Sequence, residues 1–269
     1  MSHIVHLGDC LDPVTGLASL PDKSVDHVIC DPPYEAEAHT LQRRVKAAGG
    51  GTGGYGETVE VPLDFAPLTA EVRAAAAHQF VRVARRWVVV FCQAEAVQAW
   101  REALEEAGGR YKRACVWLKP DAQPQLTGDR PGMGYESIVT AHAPGRSRWN
   151  GGGRCGVYTF LRNAHGPGEA SPHPTMKPLD LMKALVRDFT DPGELICDPF
   201  AGSGTTGVAC KRLGRRFVGW EREPKYHAIA ERRIRDAREQ FRLDLPRVKP
   251  KQGDLLVPSS APRSEGEGA

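Results

Sequence analysis

Short β-branched, apolar runs alternate with segments of helical periodicity along almost the whole chain. That alternation restricts it to an α/β layered sheet, because each run must be buried and each amphipathic helix needs a sheet face to cover. The runs are His3 to Leu7, His27 to Cys30, Trp87 to Phe91, Ala114 to Leu118, Ser137 to Ala141, Leu195 to Cys197 and Arg216 to Val218. Ala70 to Arg85 and Ala94 to Ala107 read as helices, the second stopped by Gly108 and Gly109. Pro178 suits the first turn of another, in which Leu181, Met182, Leu185, Val186 and Phe189 share a face. A last helix is predicted from Tyr226, Ile229, Ala230, Ile234, Ala237 and Phe241, with Arg232, Arg233, Arg235 and Arg238 on a solvated side.

Three segments fall outside this pattern. Residues 35–62, with Gly49-Gly50-Gly51-Thr52-Gly53-Gly54, read as a long mobile loop. Residues 120–172 hold further Gly, Pro and Arg around Trp149, Tyr158 and Phe160, and the part from about 144 to 172 reads as an insertion. Residues 245–269, rich in Pro, Ser, Gly and charge, read as a disordered tail. A length of 269 residues then fits one domain, 1–244, carrying both inserted segments.

The longest apolar run, Trp87 to Cys92, is far short of the roughly 20 residues that cross a bilayer. The start carries no charged-then-apolar export signal, so a cytoplasmic protein without membrane contact is expected. Seven cysteines, none in a CxxC pair, suggest neither a disulfide framework nor a metal site. They read as small core hydrophobes. Charge is more informative by position than by its sum of +3: residues 1–40 hold seven acids against one lysine, and residues 110–165 nine basic residues against three acids.

Two motifs carry chemistry. Asp31-Pro32-Pro33-Tyr34 follows the run ending at Cys30, at the carboxyl end of a strand, where open α/β sheets bind ligands. Two prolines stiffen the backbone and remove two donors, leaving Asp31 and the Pro32 carbonyl as acceptors for one amino group. Such a pair would localise the lone pair of an aromatic amine, otherwise a poor nucleophile, while Tyr34 stacks on its ring. The second motif, Leu195 to Thr206, is a strand, a glycine turn and a helix, with Asp198, Phe200, Ala201, Gly202, Ser203, Gly204, Thr205 and Thr206 at the turn. It lacks the Gly-Lys-Ser/Thr of a phosphate loop and matches the dinucleotide fingerprint only in part. Glu221 ends the next run, where an acid in nucleotide-binding sheets holds ribose hydroxyls.

Five segments in order resemble the circularly permuted, beta-class group of the DNA amino-methyltransferases, the N6-adenine/N4-cytosine family. They are Gly8-Asp9-Cys10, Leu20-Pro21-Asp22-Lys23-Ser24-Val25-Asp26, Asp31-Pro32-Pro33-Tyr34, His173-Pro174-Thr175-Met176-Lys177-Pro178 and the Asp198 loop. The resemblance spans about nine-tenths of the chain. It implies a Rossmann-like class I methyltransferase fold with a mostly parallel seven-stranded sheet, helices on both faces, and S-adenosylmethionine as donor. By position, Asp9 beside Cys10 would bind the adenine of the donor and Glu221 its ribose. Asp198 to Thr206, with Thr175 and Lys177, would wrap its methionine portion. Asp31, Pro32, Pro33 and Tyr34 would hold a target amino group of an extruded DNA base for direct transfer. The resemblance also implies a double-stranded DNA partner, a homodimer and a cognate restriction endonuclease.

Arg43, Arg44 and Lys46 in the first loop, and Arg146, Arg148, Trp149, Arg154 and Arg162 in the second, are the candidate DNA contacts. An Asp at the head of the tetrapeptide leans toward adenine N6 in this family, and cytosine N4 stays open because both amines donate to it. An RNA base methyltransferase and a non-catalytic DNA-binding protein are the rivals. The motif order opposes the first, and the undamaged Asp31 and Gly202–Gly204 loop oppose the second. Glu35 after Tyr34 departs from the small polar residue common in the family.

Overall fold

The computed structural model of the chain describes residues 2–34, 68–122, 124, 131–162 and 176–238, and the backbone of two short strands at 44–46 and 58–60. The elements are β1 (His3–Leu7), β2 (His27–Cys30), β3 (Arg44–Lys46), β4 (Thr58–Glu60), α1 (Ala70–Val83), β5 (Trp87–Cys92), α2 (Val97–Glu106), β6 (Arg110–Leu118), β7 (Tyr135–His142) and β8 (Val157–Thr159). After these come α3 (Leu179–Phe189), β9 (Leu195–Asp198), α4 (Thr205–Arg212), β10 (Arg216–Glu221) and α5 (Pro224–Asp236).

The main sheet runs β1-β10-β9-β2-β5-β7-β6-β8, with β3 and β4 paired apart from it. Only β7 is antiparallel to its neighbours. Among the described residues the sheet thus has eight strands rather than seven. The added one, β8, lies in the segment expected to be irregular and pairs Tyr158 with Trp117 of β6. Likewise, β3 and β4 place an antiparallel pair within the expected loop, with Arg44 opposite Glu60. The rest of residues 35–62 and the expected tail lie outside the described residues.

Burial explains why the central strands form. Every residue of β2 and β5 is buried, as a strand covered on both faces requires. Alternation sends Val88 and Val90 toward α1 and α2, where they meet Phe80, Trp100 and Leu104. Trp87, Val89 and Phe91 go to the other face, under Leu181, Leu185 and Phe189 of α3, Val208 of α4 and Ile234 of α5.

Local signals set the helix ends. Thr69 Oγ1 accepts from Val72 N to cap α1. A 3-10 turn, Ala94–Ala96, precedes α2, which Gly108 then closes at φ +87°. Pro224 opens α5, which stops at Asp236 before the expected Phe241, a residue outside those described. Six of the seven cysteines are buried, and Cys155 is exposed. Among the described residues no helix is long and apolar enough to cross a membrane.

Candidate active site

The sheet order brings four acids together. Asp9 lies just beyond β1, Glu221 ends β10, Asp198 ends β9 and Asp31 follows β2, and these strands are consecutive neighbours. At roughly 4.8 Å per strand the row spans about 14 Å along the carboxyl edge.

Asp198 is only 2% exposed. Its Oδ2 accepts from Thr206 Oγ1 at 2.6 Å and its Oδ1 from Phe200 N at 3.1 Å. Burial pushes its carboxyl from 3.8 up to about 7, against the pull of those two hydrogen bonds. The turn beyond it needs glycine. Gly204 sits at φ +79°, and a Cβ there would stand 2.9 Å from the Cα of Ala230. Gly202 sits at φ +51° with nothing within 4 Å of an added Cβ, so the loop is open on that side.

Two neighbours hold this loop. Ala201 N donates to Trp220 O at 2.8 Å. From α5, Arg233 Nη1 donates to Ser203 O at 2.5 Å, Ser203 Oγ at 2.9 Å and Thr205 Oγ1 at 3.2 Å. Arg233 is therefore a strut for the loop, not part of a solvated face.

Glu221 Oε1 accepts from Glu223 N at 2.7 Å, and burial raises its carboxyl above the ordinary range. Asp9 Oδ1 accepts from Leu11 N at 2.8 Å, and Gly8 N donates to Glu221 O at 3.0 Å, which ties the two strand ends together. Cys10 is buried, and burial and Asp9 push its thiol up, so it packs as a neutral side chain.

Around Asp31 the structure assembles a cluster that local spacing does not announce. Lys177, 9% exposed, lies 2.5 Å from Asp31 Oδ2 and 3.3 Å from Glu136 Oε2. Lys119 lies 2.5 Å from Glu136 Oε1, and Tyr34 Oη donates to Glu136 Oε2 at 2.6 Å. Burial opposes the Glu136 charge, but Lys177 and Lys119 outweigh it and hold the carboxyl at about 2. Burial raises Asp31, while Lys177 pulls against it. Asp31 Oδ1 is buried without a hydrogen-bond partner. Lys177 thus pairs with the tetrapeptide, and its ion pairs do not involve the glycine loop. Thr175 lies outside the described residues.

The candidate DNA contacts separate by position. Because β7 is antiparallel, it ends at His142 on the amino edge of the sheet, and the next segment starts there. Trp87 Nε1, at the start of β5, donates to Arg148 O at 2.7 Å, and Arg148 lies 3.6 Å from Asp191. Arg154 lies 2.5 Å from Asp188, and Trp149 packs on Phe189 at the end of α3. Exposed Arg146 belongs to the same stretch. Trp87 and Arg148 thus meet at the amino end of β5, about 20 Å of strand from the edge that carries Asp31. Arg162 follows β8 on the site's own edge, where its Nη2 donates to Asp121 O at 2.6 Å. Arg43 lies outside the described residues, and only the backbone of Arg44 and Lys46 is described.

A family model described as a DNA methylase, of the N6/N4 methyltransferase type, matches residues 25–232. The chain belongs to this DNA methylase family. The chain is 51% identical over 65 residues to the type II methyltransferase M2.DpnII of Streptococcus pneumoniae, 24% of each chain. It is 32% identical over 149 residues to M.XycI of Xanthomonas campestris pv. cyanopsidis, 50% of this chain and 48% of that one. These alignments span half or less of the curated relatives' length. The crystal structure of an M1.HpyAVI–SAM complex superposes with TM-score 0.63 and 25% identity, covering 87% of this chain and 99% of that one. The cytosine-N4-specific PvuII DNA methyltransferase shares the fold, with TM-score 0.66 and 17% identity over 87% of this chain and 86% of that one. The chain has the Rossmann-like fold of class I methyltransferases.

Proposed function

We propose that this methylase transfers a methyl group from S-adenosylmethionine to an exocyclic amino group of a base in DNA, with adenine N6 the favoured acceptor. The observation that carries this reading is the unpaired, buried Oδ1 of Asp31, one strand from the glycine loop and three residues before Tyr34.

The residues of the carboxyl edge fit the donor. Its sulfonium and ammonium groups are cationic, and the row Asp9, Glu221, Asp198, Asp31 is acidic. Gly202 leaves open space above the loop. Glu221 and Asp9 suit the ribose and adenine, and the Asp198 loop suits the methionine portion. When bound, the donor supplies an electrophilic methyl group.

The chain's own residues prepare the acceptor. Asp31 Oδ1 and the Pro32 carbonyl accept from the two N–H bonds of the amine and draw its nitrogen toward tetrahedral geometry. That localises the lone pair for direct attack, and Asp31 is placed to take the proton the nitrogen sheds. Tyr34 offers its face to the ring, a contact worth about 1–3 kcal/mol in other nucleic-acid sites. An amine that gives both N–H bonds to Asp31 and the Pro32 carbonyl has none left for a base pair, so the target nucleotide is extruded. A restriction endonuclease and a second copy of the chain are the partners of such a type II enzyme.

Cytosine N4 is the second reading. Both bases present an amino donor beside a ring nitrogen acceptor, so the Asp31 carboxylate by itself suits either. Labelled donor with methylation-free bacterial DNA, followed by nucleoside mass spectrometry, separates the two. N6-methyladenine is expected, N4-methylcytosine selects the second reading, and methylation of RNA alone refutes both. Asp31→Ala should abolish transfer while leaving donor affinity by calorimetry largely intact. Equal loss of donor binding would refute the role given to Asp31.

A further inference from the structure

The position of Tyr34 depends on a residue of another strand. Pro32 and Pro33 fix the backbone ahead of Tyr34, leaving its two side-chain torsions to decide where the ring stands. The far end of that side chain is tied down. Its hydroxyl lies 2.6 Å from Glu136 Oε2 and 3.3 Å from Lys177 Nζ.

The donor and acceptor inventory leaves one arrangement. Lysine can only donate, so the phenol oxygen accepts from Lys177 and its single proton goes to Glu136. Burial, Asp31 and Glu136 all push the Tyr34 hydroxyl well above its ordinary range, so it keeps that proton. Glu136 stays ionised between Lys119 and Lys177, which makes the contact a charge-assisted hydrogen bond, shorter and stronger than a neutral one. Its own position is equally determined. It is the second residue of β7, the antiparallel strand whose start reaches the carboxyl edge, and Lys119 just beyond β6 holds its other oxygen.

We propose that Glu136 is a positioning residue for base capture: acting through the Tyr34 hydroxyl, it fixes the plane of the ring on which the target base stacks. This rests on the function proposed above. The alternative role, a counter-ion for the two lysines alone, does not pass through Tyr34, and a double-mutant cycle separates the two.

The test measures single-turnover methyl transfer to methylation-free bacterial DNA, with donor affinity by calorimetry, for wild type, Glu136→Gln, Tyr34→Phe and the double variant. Glu136→Gln keeps the volume of the side chain but offers one acceptor oxygen in place of the two that serve Tyr34 and Lys119, and it should slow transfer at least about tenfold, the scale of a charge-assisted hydrogen bond made neutral or lost. In the Tyr34→Phe background the same change should cost no more than about twofold, because coupled residues do not add. Donor affinity should stay within about twofold throughout, since donor and base sites are separate contacts. Glu136→Gln at wild-type rate, the full loss persisting without the hydroxyl, or donor affinity falling with the rate would each overturn the proposal. If Glu136→Gln does not fold, Tyr34→Phe alone decides, because it should lose the same factor. A wild-type protein that methylates no DNA refutes the proposed function instead.

Discussion

Asp198→Asn should make the donor-free protein more stable, and by an amount that grows with pH. The Asp198 carboxyl titrates at about 7 in the fold and near 3.8 in an unfolded chain. Between those values the folded state holds a proton that the unfolded state has released, so Asp198 lowers stability as pH rises through that window. At roughly 1.4 kcal/mol per unit the cost is about 2 kcal/mol at pH 5 and about 4 kcal/mol at pH 8. Asparagine does not titrate, and its amide can still meet both Thr206 Oγ1 and Phe200 N. Glu136 and Glu194, both held at about 2, act in the opposite sense, their stabilisation being lost as pH falls below about 4.5. Their window lies below the pH 5 to 8 range over which the variants are compared. Urea unfolding of variant and wild type at pH 5 and pH 8 should show the variant's advantage widening by about 2–3 kcal/mol. The same variant should bind S-adenosylmethionine more weakly at pH 8, because it lacks the buried charge. A stability gap independent of pH, or a variant less stable at pH 8, would refute the assignment of a strained, ionisable Asp198.

Arg154→Ala removes an ion-pair partner from Asp188, which is 2% exposed and would keep the Tyr158 hydroxyl. It should cost about 1–3 kcal/mol in a denaturation curve and leave the salt dependence of DNA binding unchanged. A flatter salt slope would return Arg154 to the DNA interface. Arg233→Ala frees the loop at Ser203 and Thr205, and should weaken donor binding about tenfold, or ~1.4 kcal/mol, with turnover at saturating donor little changed. Calorimetry beside saturation kinetics checks it, and unaltered donor affinity would show that the loop holds its shape unaided.

All seven runs that the pattern marks as strands are strands; burial enforces the central ones, β2 and β5, whereas β1 at the sheet edge buries only Val5 and is held by its pairing with β10. The strand β8 escaped notice because three residues, Val157 to Thr159, among glycines show no period, and only Tyr158 turns inward. Asp31 and the Asp198 loop were legible because their chemistry is written in contiguous residues. Glu136 was not, since it lies 102 positions from Tyr34 and stands as one acid at the start of an apolar strand. Its one sequence signal was a charge at the first inward turn of a strand otherwise built for the core. Arg148 and Arg154 were named as candidate DNA contacts from the charge counted along the chain. That count carries no information about which end of the sheet a segment occupies, which the reversed direction of β7 sets.

The position of β1 governs when the site can first exist during synthesis. Among the described residues its one partner in the sheet is β10, with His3 opposite Phe217. At the usual 5–20 residues per second, the first strand emerges and waits roughly 10–40 s for the strand it must join. Until β9 and β10 are made, β2 and β5 present an unpaired edge, and Asp31 has no glycine loop beside it. A ribosome-bound fragment therefore holds Asp31 without the Asp198 loop that the sheet later sets beside it. The same delay leaves the β2 edge open to pairing with other chains until β9 is made.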